Sequence, residues 1–129
     1  MIKKQLILSL IPVLFSNFTH ALMCSDHHVL ASRCYQLRIE ILNTAKHQDT
    51  TKMICRNILE HASDAALLAA EQIDNNQNDE ARKTLKLTHS IMEVSLKEKY
   101  QCKEQETLSR LISEVDLINQ ELQCEVRIK

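Results

Sequence analysis

The chain has 129 residues, a formal net charge of −1, one proline, and neither glycine nor tryptophan. That charge gives no electrostatic drive toward nucleic acid or an acidic membrane, and two Phe with two Tyr supply too few rings for base stacking or an aromatic cage. Lack of glycine removes the dinucleotide fingerprint, the phosphate-binding loop and the nucleophile elbow, and leaves tight β-hairpins without their φ > 0 positions.

The first segment reads as an export signal. MIKK supplies a positive start, QLILSLIPVLF a short apolar run, and Thr19 and Ala21 stand at the −3 and −1 positions of a cleavage site. A membrane span needs roughly 20 apolar residues, which this proline-containing run does not reach. The expected division is therefore a signal peptide over 1–21 and a single helical domain over 22–129, placed in the periplasm or outside the cell and bacterial in the style of its signal. Lipid attachment at Cys24 is disfavoured because bulky Met23 precedes it.

The rest is rich in Ala, Leu, Lys, Glu and Gln, which favour helix. Ser25 or Asp26 offers a cap for a first helix ending near Asn43 to His47, with Leu30, Cys34, Leu37 and Ile41 as its inward stripe. Asp49, Thr50 and Thr51 offer the next cap. The second helix runs to about Asp74, with Ile54, Ile58, Ala62, Ala65, Ala69 and Ile73 expected inward. DNNQND, from Asp74 to Asp79, is the clearest loop, and Asn78 is the expected cap of a third helix.

In that helix Leu85, Met92 and Leu96 share a face, supplemented by Leu87, Ile91 and Val94. Leu108, Leu111, Val115, Ile118, Leu122 and Val126 form a later stripe rotated away from the first. Between them, Lys97 to Glu106 is almost wholly polar, so a turn is expected near Tyr100 to Lys103. The fold class is all-α, a disulfide-stapled up-down four-helix bundle. The alternative keeps the last two helices as one long, dimeric C-terminal rod.

Export makes disulfides the default for Cys24, Cys34, Cys55, Cys102 and Cys124. Bridged Cα atoms lie within about 7 Å, so only cysteines at matching heights in the bundle can pair. Up-down order sets Cys55 and Cys102 near one end and Cys24 and Cys124 near the other. Those two bridges are expected, leaving Cys34 as a buried thiol. The runner-up exchanges Cys34 for Cys24.

Cys24, His27 and His28 form the sharpest metal candidate, since sulfur and imidazole suit copper or zinc. Neighbouring histidines at a helix start point apart, however, and no second ligand pair follows. No metal or other cofactor is expected. His61 and His89 read as solvent-facing or core-edge residues. C-x-x-C-H, E-x-x-H and H-E-x-x-H are all absent from the sequence. Glu104 and Glu106 read as solvated, and no catalytic residue is assigned.

Arg82, Lys83, Lys86, Lys97, Lys99 and Lys103 are interleaved with acids, the pattern of an ordinary salt-laced surface. A second apolar strip, Leu117, Cys124 and Ile128, lies behind the main stripe of the last helix and is the expected interaction surface. The expected function is that of a small exported, non-enzymatic binding module, such as an adaptor, inhibitor or secreted effector, whose partner is another protein. The rival is a periplasmic metal-handling or thiol redox-sensing protein using Cys24 with His27, or the unpaired Cys34.

Overall fold

The computed structural model describes residues 25–51 and 53–128, with side chains as far as Cys124. The expected signal segment and Cys24 lie outside the described residues. Among those described, the chain forms α1 (His27–Lys46), α2 (Met53–Asp74), α3 (Asn78–Ser95), a 3₁₀ turn (Glu98–Tyr100) and α4 (Gln105–Ile128). Each helix packs on the next and α4 closes on α1, giving the expected four-helix bundle. No described helix is long and apolar enough to cross a membrane.

The start of α1 follows from Asp26, whose carboxylate accepts a hydrogen bond from the Val29 N–H at 3.0 Å. That satisfies one of the orphan donors of the first turn. Leu30, Cys34, Leu37 and Ile41 are all buried, so the expected stripe is the observed one. Ahead of α2, the Asp49 carboxylate accepts from both the backbone N–H and the hydroxyl of Thr51. This local Asx turn redirects the chain.

Along α2, Ala62, Ala65, Ala69 and Ile73 are buried as expected, and the inward face differs from expectation only in the first two turns. Cys55, Leu59, Ala62, Ala66, Ala69 and Ile73 are buried at alternating spacings of four and three, whereas Ile54 is 47% exposed and Ile58 only half-buried. The two stripes share Ala62, Ala69 and Ile73 and part at the start of the helix, where a step of one residue turns the side chain by about 100°. The bond from Cys55 to Cys102 and the close fit of the alanines against both neighbouring helices select the second.

The α2–α3 link manages without glycine by using Asn76 at φ 60°. Gln77 N–H bonds to the Gln72 carbonyl at 2.8 Å and Asn76 N–H to the Ile73 carbonyl at 3.0 Å. This is a Schellman closure with asparagine in the left-handed position. Gln77, not Asn78, is the N-cap of α3. Asn78 opens the helix with its Oδ1 buried and without a hydrogen-bond partner.

Half of the α3 core line is polar. Ala81, Leu85 and Met92 are buried together with Thr84, Thr88 and Ser95. Thr88 Oγ1 donates to the Thr84 carbonyl at 2.8 Å and Ser95 Oγ to the Met92 carbonyl, while the Thr84 hydroxyl shares its one hydrogen between the Glu80 carbonyl and Gln72 Oε1. Back-bonding lets these side chains enter the core without an unsatisfied polar atom. Leu87, counted on the apolar face by spacing, is 54% exposed.

The expected break between the last two helices is present, and the single long rod is not formed. It begins earlier than anticipated, just after Ser95, and extends to the start of α4 at Gln105. Two further positive-φ residues, Gln101 and Glu104, bend this segment. In α4, Leu108, Leu111, Val115, Ile118 and Leu122 fill the core as expected; the side chain of Val126 lies outside the described residues.

Candidate docking face

At its observed phase α2 sets Ile58, His61, Ala65 and Leu68 along the flank nearest α3. Leu87, Ile91 and Val94 answer from the neighbouring helix. Residues from Ile58 to Leu68 and from Leu87 to Val94 line one shallow groove, with Asp64 on its rim. Leu68 and Leu87 are each about half exposed, at 47% and 54%. The Thr84 hydroxyl donates to Gln72 Oε1 at 2.6 Å and sets the register of the two helices. Outward of the groove, α2 exposes Glu60, Asp64 and Glu71, while α3 exposes Asp79, Glu80, Lys83 and Lys86, with Lys83 3.7 Å from Glu80. An apolar floor between charged rims is suited to helix docking.

A second groove between α3 and α4 is lined by Ser90, Glu93, Lys97 and Ser109 beside Val94 and Ile112. Its more polar lining makes it a poorer apolar seat.

The anticipated interaction strip is only partly visible. Leu117 is 39% exposed, Cys124 is half-buried, and the side chain of Ile128 lies outside the described residues. The sequence does not single out the α2–α3 face, because spacing assigns Ile58 to the core. Its signal was present nonetheless, since 54, 58, 61, 65 and 68 repeat at helical spacing as regularly as the core positions do.

Cys55 and Cys102 are bridged as expected, with their Cα atoms 5.5 Å apart. Cys34 is the buried free thiol. Burial pushes its pKa up to about 12, with Glu114 adding to the rise and Arg33 opposing it. A protonated thiol with no solvent access is a poor nucleophile and a poor metal ligand. Cys124 does not carry a free thiol; its expected partner Cys24 lies outside the described residues.

His27 and His28 begin α1 with ring centroids 4.3 Å apart. Among the described residues no three His, Cys, Asp or Glu side chains are grouped to hold a metal. His61 is exposed on the groove. His89 instead bridges two helices: Nδ1 lies 2.7 Å from Asp116 of α4, and Nε2 contacts Glu93 of its own helix. Burial lowers its pKa, but the hydrogen bonds and charges of Glu93 and Asp116 outweigh burial and raise it overall.

One further polar cluster ties α1 to α4. The Arg33 guanidinium donates to Glu114 at 2.9 and 3.1 Å and also to Glu121, which accepts from the Ser25 hydroxyl at 3.0 Å. Glu121 is buried. Burial opposes the charge on Arg33, but its hydrogen bonds to Glu121 and Glu114 prevail, and its pKa is raised. The cluster is an internally satisfied clamp, with both charge signs present and each carboxylate hydrogen-bonded.

No family model, no curated protein and no solved structure matches this chain. Its function is therefore argued from its own surface.

Proposed function

We propose that the chain is an exported, non-enzymatic interaction module that works in the periplasm or outside the cell by docking a protein on its α2–α3 face. The observation that carries this reading is the pairing of half-exposed Leu68 and Leu87 across one apolar groove. Leaving such side chains in water forgoes about 25 cal/mol for each Å² of apolar surface, which a docked partner recovers. The Cys55–Cys102 bridge supports an oxidising compartment, since such bonds persist mainly outside the cytoplasm. Cys34, buried and protonated, lends no support to a thiol-sensing role.

A photo-crosslinking side chain placed at position 87 is expected to trap a protein adduct in the native envelope or medium. The same probe at the exposed α1 position Gln36 serves as the control. Equal labelling from both positions, or none from either, defeats the reading. Intact-mass measurement of the exported product tests the compartment, with a chain starting at Leu22 expected.

A further inference from the structure

We draw no further inference here: the strongest candidate, the apolar groove between α2 and α3 lined by Ile58, Leu68, Leu87 and Ile91, has rims that carry charges of both signs, and nothing in the structure shows what covers it.

Discussion

The side-chain amide of Gln48 pairs with both backbone groups of Lys103, accepting from its N–H at 2.7 Å and donating to its carbonyl at 3.0 Å. Gln48 is buried in the α1–α2 link, so one side chain fastens two loops distant in sequence. His47 adds a contact to Glu104 at 3.3 Å, and Cys55–Cys102 lies beside them. Gln48→Ala leaves two loop backbone groups without their partner and is expected to cost about 1–3 kcal/mol, read from the urea midpoint.

Loss of the bridge should cost more. Cys55→Ala with Cys102→Ala opens a loop whose ends are 47 residues apart in sequence. The chain-entropy model puts that at roughly 4 kcal/mol. Equilibrium unfolding in urea of the parent and the double variant measures it, and a difference below a few tenths would refute the staple as a source of stability.

Arg33 and Glu121 form a pair whose halves depend on each other. Arg33→Met strands the buried Glu121 carboxylate and is expected to destabilise toward the lower end of about 3–5 kcal/mol, because Arg33 itself is partly exposed. Adding Glu121→Leu removes the stranded charge and should recover most of the loss. A thermodynamic cycle over the two sites reads the coupling.

His89 should make stability depend on pH. Its folded pKa lies above the ordinary value of 6.5, because Glu93 and Asp116 together overcome the opposing effect of burial. Both ring nitrogens face carboxylates, an arrangement satisfied only by the doubly protonated ring. The resulting stabilisation is present in full below the unfolded value and is lost as pH rises through the folded one. His89→Gln should flatten that stretch of the pH–stability curve, and the ring proton shifts of His89 should titrate above the ordinary histidine value.

Asn76 holds the left-handed turn at the end of α2. Asn76→Gly is expected to be neutral within about 0.5 kcal/mol, since asparagine already tolerates that region. Asn76→Val, β-branched at φ > 0, should cost about 1–2 kcal/mol in thermal unfolding.

The stripes of α1 and α4 were legible because their large aliphatic residues recur at one helical phase with polar residues around them. At the start of α2, two stripes stand one residue apart, and side-chain volume alone favours Ile54 and Ile58 for the interior. Assembly favours the alanine line, because small residues admit both neighbouring helices and Cys55 has to reach Cys102. In α3 the core positions Thr84, Thr88 and Ser95 resemble surface residues until their back-bonds are seen. Arg33 and His89 meet their partners across separations of 81, 88 and 27 residues, which no local spacing encodes.

By itself, then, the sequence determined the helical class, through the lack of glycine and an excess of helix formers, and the Cys55–Cys102 pairing, through matched heights in an up-down order. Only the tertiary structure decided that Cys55 and Leu59, rather than Ile54 and Ile58, turn inward at the start of α2, and with it where the exposed apolar groove lies. Periodicity marks an amphipathic helix from within, but the choice between two adjacent faces depends on the volume and bonding of its neighbours.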